Sequence, residues 1–82
     1  EAALSKPMKL QVNTNGTWKD VIAFDGADAA LTYEVMTSAH CLGTHDASGV
    51  VTFRVVAVDP LIGMLAHWTR AKGWKEKCHA AH

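Results

Sequence analysis

Histidine and cysteine, the side chains best suited to bind zinc or copper, form two local groups in this sequence, and one further histidine, His67, lies outside both. The first group is His40, Cys41 and His45, and the second is Cys78, His79 and His82. A thiolate with two imidazoles and one open coordination position would make a reactive metal centre. In both groups the cysteine precedes a histidine by four residues, a spacing that puts the two on one helical face.

Neither group has the spacing of a known zinc finger or ribbon. Gly43 lies between Cys41 and His45, where a glycine is expected to end a helix, and the second group stands at the very end of the chain. A metal site built from these residues is therefore the alternative hypothesis, and we expect the protein to need no cofactor.

Cys41 and Cys78 are the two cysteines of the chain, too few for a disulfide framework. We expect two reduced thiols in a cytoplasmic protein. The alternative is a single Cys41–Cys78 bridge that ties the tail to the body of the domain, which would indicate a secreted protein.

Catalytic motifs are absent from the sequence, which contains no P-loop, GxGxxG, HExxH or GxSxG pattern. Most of the acidic residues fall at predicted turns or helix caps, where hydrogen bonding to the backbone accounts for them. We therefore predict a binding protein rather than an enzyme.

The composition, 49% hydrophobic and 20% charged over 82 residues, fits one globular domain. Eight basic residues balance eight acidic ones, whereas nucleic-acid binding normally needs a basic excess. The short basic patch beside Trp74, in residues 72–77, is offset by Glu76. Since no apolar run has the length of a membrane span, we expect neither nucleic acid nor membrane as a partner.

The first half of the chain predicts a hairpin followed by a helix. Alternating residues in 8–12 and 17–25 indicate two strands joined at Asn15-Gly16. Trp18, Ile22 and Phe24 are expected on one face of the second strand. The helix is predicted from Ala27 to Leu42, with Asp25 or Asp28 as its cap and Gly43 as its stop.

The second half begins with a strand over residues 50–58 that is apolar on both sides and therefore central in its sheet. Residues 59–69 fit two structures. As a helix, this segment would have Asp59 as its cap and Pro60 at its first position. As a hairpin, Met64, Ala66 and Trp68 would alternate with Leu65 and His67. We prefer the hairpin, since three strands and one helix would leave a sheet edge exposed.

The predicted fold is therefore α+β, an antiparallel sheet of about four strands (ββαββ) with one helix packed on one face. Residues 8–70 form the domain. Residues 1–7 are expected to be a disordered arm or a cloning remnant, and residues 71–82 a C-terminal tail.

The predicted helix has two apolar stripes on opposite sides, at about 100° per residue. The core stripe is Leu31, Val35, Ala39 and Leu42, and the second stripe is Ala29, Tyr33, Met36 and His40. A solvated helix back usually carries Lys, Glu or Arg, whereas Tyr, Met and His are favoured or tolerated at interfaces.

The second stripe predicts a protein that forms a homodimer or binds another protein. The expected contact residues are Tyr33, Met36, His40, Trp68 and Trp74. The alternative is an ordinary surface, since much of any protein surface is apolar, and Trp18 and Trp68 fit a core role equally well.

Overall fold

The computed structural model describes residues 6–76, which form a five-stranded antiparallel sheet with one helix against it. In chain order the elements are β1 (Pro7–Asn13), β2 (Trp18–Asp25), α1 (Ala29–Thr44), β3 (Thr52–Ala57), β4 (Met64–Thr69) and β5 (Gly73–Glu76). The strands lie in the order β2-β1-β3-β4-β5. The predicted α+β fold is confirmed, with one strand more than expected.

A β-bulge interrupts the β1–β2 hairpin. The pairing steps from Leu10–Ile22 directly to Gln11–Asp20, which leaves Val21 as an extra residue on β2. Successive side chains along a strand point to opposite faces of the sheet. The extra residue therefore makes residues 18–20 point to the face opposite to the one that unbroken alternation would give them.

Trp18 therefore lies on the opposite face of the sheet from Ile22 and Phe24, and the prediction that all three share a face is wrong. Phe24 is buried beneath α1, whereas the ring of Trp18 contacts Arg54 and His67 on the other side.

The helix α1 begins and ends two residues later than the sequence predicts. Asp28 caps it, accepting a hydrogen bond from the Leu31 amide (3.0 Å). Gly43 lies inside the helix and does not end it, because His45 is the C-terminal cap and Gly43 has no positive φ. A Cβ at Gly43 would collide with the six-membered ring of Trp68, so glycine at this position allows the helix backbone to lie close to the indole.

The C-terminal half forms strands, so the helical alternative for residues 59–69 is wrong. Gly63 has a φ of 72° in the turn before β4, and Trp68 pairs with Phe53 across the β3–β4 ladder. The chain then turns back through residues 70–72 into β5, which comes from the segment assigned to a tail. β3 lies at the centre of the sheet, as predicted.

The core lies between α1 and one face of the sheet. Its buried members are Met8, Leu10, Phe24, Val35, Ala39, Val51, Phe53, Val55, Ala66 and Trp68. The buried side of α1 is rotated from the predicted stripe by roughly 50°, at about 100° per residue. As a result Leu42 is 63% exposed, Gly43 is buried in its place, and Met36 packs against the core.

Candidate functional site

The residues predicted as a contact surface are largely engaged by the β4–β5 hairpin of the same chain. The Trp74 indole N–H donates to the backbone oxygen of Met36 (2.7 Å). The Trp68 indole N–H donates to Nδ1 of His40 (3.0 Å). Since an indole nitrogen can only donate, His40 Nδ1 must be the acceptor, and hydrogen bonding within the chain accounts for His40.

Trp68 is 1% exposed and has no surface to offer a partner, so its placement on the contact surface is corrected here. Trp74 is half-buried and packs against the core. Tyr33, 72% exposed, and the outer edge of His40 remain accessible. They border a shallow depression of about 490 Å³ between α1 and β5.

The β4–β5 hairpin also holds the end of α1 through Arg70. Its guanidinium donates to the backbone oxygens of Thr44 (2.8 Å) and Asp46 (3.0 Å). Together with the two indole bonds, these contacts fasten one long side of the helix to the C-terminal strands.

The other long side of α1 borders an open depression between the helix and β2, which we call the apolar groove. It has a volume of about 380 Å³ and is lined mainly by Leu10, Val21, Ile22, Leu31, Val35 and Leu42. Val21 and Ile22 are each 49% exposed. Because β2 is the edge strand of the described sheet, this groove opens at the margin of the domain.

The sheet surface opposite α1, which we call the open face, carries a row of polar side chains that crosses all five strands. Successive cross-strand pairs define this cross-strand row as Asp20, Gln11, Arg54, His67 and Lys75. Neighbouring members lie on adjacent strands, about 4.8 Å apart. The row runs from an acid on β2 to a base on β5.

Hydrogen bonds link the members of the row on β1, β2 and β3. Arg54 Nε donates to Gln11 Oε1 (2.7 Å), and Gln11 Nε2 donates to Asp20 Oδ1 (2.7 Å). Lys9 lies beside the row, and its ammonium is 3.1 Å from Asp20 Oδ2. The hydrogen bond from Gln11, and then the contact with Lys9, hold the pKa of Asp20 below its usual value.

Trp18 supports the centre of the row. The guanidinium carbon of Arg54 lies 4.2 Å from the centroid of the indole, a cation–π contact. The His67 ring meets the same indole edge-on, with centroids 6.2 Å apart. Arg54 is thus held both by its bond to Gln11 and by the indole beneath it.

The first of the two proposed metal groups does not converge in the structure. His45 Nδ1 lies 2.9 Å from the backbone oxygen of Cys41, and the side chain of Cys41 is exposed. Among residues 6–76, no three His, Cys, Asp or Glu side chains are grouped to hold a metal ion. The second group (Cys78, His79 and His82) and the Cys41–Cys78 bridge involve residues outside the described range.

Within residues 6–76 no helix is both long enough and apolar enough to cross a membrane.

Arg54 and Gln11 were not singled out in the sequence, although one signal for Arg54 is visible there. It is the single charged residue in the apolar run of residues 50–58. A charge within a central strand has to be paired or has to face away from the core. The row itself could not be read from the sequence, because it depends on strand order and register.

No protein family model, no curated protein and no solved structure matches this chain. A function for the protein has to be inferred from its own surfaces.

Proposed function

We propose that this protein is a non-catalytic binding domain that self-associates as a homodimer through the apolar groove. One observation carries the proposal. Val21, Ile22 and Leu42 are each about half exposed or more, and they lie together on the margin formed by α1 and the edge strand β2. Contiguous exposed apolar side chains of this kind mark contact sites more often than isolated ones do.

A two-fold axis beside the groove would bring the same patch of both copies together. Leu42 of one copy would then pack against Ile22 and the groove wall of the other. The bulge at Val21 interrupts regular backbone pairing along β2, which is one way in which edge strands resist open-ended association. Side chains, and not a continuous β-ladder, are therefore expected to supply the contact.

Charge does not oppose this association. Glu34 is the one charged side chain that lines the groove, and the formal net charge of the whole chain is zero, so two copies repel each other weakly. Because each copy contributes few exposed apolar side chains, we expect modest affinity and a monomer–dimer equilibrium that shifts with concentration.

The test is size-exclusion chromatography with light scattering, together with sedimentation velocity, over a wide concentration range. The wild-type mass should rise toward twice that of the chain. Leu42→Glu should stay monomeric throughout while remaining folded by circular dichroism, because Leu42 is largely exposed in the monomer.

Tyr33→Glu is the matched control, since Tyr33 is at least as accessible as Leu42 on the same helix but lies outside the groove. It should dimerise as the wild type does. A wild-type protein that is monomeric at every concentration would refute self-association. A dimer that is lost in Tyr33→Glu and kept in Leu42→Glu would move the contact to the α1–β5 side.

A further inference from the structure

We propose that the open face carries an oxyanion-binding site centred on Arg54, and that its ligand is the carboxylates of an acidic polypeptide segment. This site is on the opposite side of the sheet from the helix that borders the apolar groove. It does not depend on self-association.

The guanidinium of Arg54 is held in place, and it still has hydrogen-bond donors available for a ligand. Its Nε donates to Gln11 and its guanidinium carbon lies 4.2 Å from the centroid of the Trp18 ring, while its two terminal nitrogens make no hydrogen bond within residues 6–76. A guanidinium presents paired N–H donors that match the two oxygens of a carboxylate. Because the side chain is already fixed by two contacts, a ligand would lose little entropy in ordering it.

The surroundings of Arg54 favour an anion. Along the cross-strand row and at the adjacent Lys9 there are three cations, Lys9, Arg54 and Lys75, against the single carboxylate of Asp20. Since the whole chain has no net charge, this excess is local to the part of the open face around the cross-strand row. Arg54 and Lys75 lie two strands apart, roughly 10 Å, with His67 between them.

An acidic polypeptide fits this surface better than a nucleic acid does. Nucleic-acid affinity comes from neutralising many phosphates, whereas the cross-strand row carries only two cations, Arg54 and Lys75. Asp20 would repel a backbone that continued along the row. Arg54 lies over one face of the Trp18 indole and His67 meets the ring edge-on, which leaves less of the ring for a base to stack on.

The test uses the full chain and fluorescence anisotropy with a labelled peptide that contains a run of glutamates. A glutamine peptide of equal length and a labelled oligothymidylate are the comparison ligands. We expect the glutamate peptide to bind, to weaken as salt is raised, and to bind more tightly than either comparison ligand.

Substitutions then locate the site. Arg54→Gln should weaken binding of the glutamate peptide about tenfold or more, the size of one charge-assisted bidentate contact. Arg54→Lys keeps the charge but loses the planar fork and should recover part of the affinity. Lys75 is exposed and lies away from Trp18. Lys75→Gln should therefore weaken binding by a smaller factor and leave the contact between Arg54 and Trp18 undisturbed.

Lys19→Gln is the matched control, because Lys19 pairs with Val12 and therefore lies on the other side of the sheet. It removes the same charge and should leave binding unchanged, as should Leu42→Glu in the apolar groove. The proposal is overturned if the glutamate peptide fails to bind or if the oligothymidylate binds more tightly than the glutamate peptide. It is also overturned if the Arg54→Gln and Lys75→Gln variants bind the glutamate peptide as the wild type does.

Discussion

Gly43→Ala tests the packing of α1 against the sheet with a single methyl group. The added Cβ would overlap outer atoms of the six-membered ring of Trp68. Trp68 is 1% exposed and its indole N–H is bonded to His40, so the indole has no free direction in which to move. The helix or the indole has to shift.

Two opposing effects set the size of the change. Replacing glycine by alanine within a helix stabilises it by about 1 kcal/mol, whereas forcing an extra methyl group into a packed core costs typically about 1–3 kcal/mol. Because the overlap at Trp68 is with a fully buried ring, we take the upper part of that range. The net expectation is a loss of about 1–2 kcal/mol, which for a domain of this size lowers Tm by about 4–8 °C per kcal/mol.

The assay is a double-mutant cycle measured by urea unfolding and circular dichroism, which avoids the change in fluorescence that Trp68→Phe itself causes. Phenylalanine lacks the outer ring atoms that meet position 43. In the Trp68→Phe background, Gly43→Ala should therefore be neutral or stabilising by up to about 1 kcal/mol. The coupling free energy between the two positions should be about 2 kcal/mol.

The result that would refute this reasoning is an equal cost of Gly43→Ala in both backgrounds. That outcome is what a left-handed helix cap at Gly43 would give, since the penalty for alanine at positive φ, of order 1 kcal/mol, does not depend on Trp68.

Two further predictions concern hydrogen bonds. His40→Ala removes the acceptor of the buried Trp68 indole N–H and should lower the free energy of unfolding, measured by thermal unfolding, by about 1–3 kcal/mol. His40→Gln supplies a carbonyl acceptor and should recover much of this loss. Equal losses in the two variants would contradict the assignment of His40 as the acceptor. Gln11 and Lys9 hold the pKa of Asp20 below its usual value in the folded protein. The contribution of Asp20 to stability is therefore present above the ordinary carboxyl pKa and is lost as the pH falls through the lower, folded-state pKa. Asp20→Asn should therefore flatten the decline of Tm below about pH 4, and an unchanged acid limb would show that the Asp20 contacts do not matter for folding.

The sequence was sufficient for the parts of the fold that depend on local patterns. Strand alternation, the turn glycines and the two-sided apolarity of β3 predict the hairpins and the central strand. β5 was missed because four residues with one aromatic side chain, Trp74, carry no recognisable period. Strict alternation would place Asp20 on the same face as Ile22 and Phe24, which is a sign of irregularity, but only the register with β1 locates the extra residue at Val21.

The functional surfaces were harder to predict because they depend on tertiary contacts. The helical wheel separates Leu42 from Tyr33 correctly, but it cannot show that two tryptophans from the C-terminal hairpin bond to α1 and that Met36 is partly buried against the core. The rotation of the buried side of α1 moves Leu42 from the predicted core to the surface. The cross-strand row draws one residue from each of five strands, so no local pattern in the sequence could bring Arg54 and Lys75 together.

The one-sided attachment of α1 has a mechanical consequence. Trp68, Trp74 and Arg70 donate hydrogen bonds to α1 along the margin that faces the C-terminal strands, whereas mainly apolar side chains line the side of α1 that faces β1 and β2. The helix is therefore held by hydrogen bonds along one side and by apolar contacts along the other. A small outward rotation of α1 about these hydrogen bonds would widen the entrance beside Leu42 and leave the bonds intact, so we expect a partner that inserts there to displace the helix by separating apolar contacts alone.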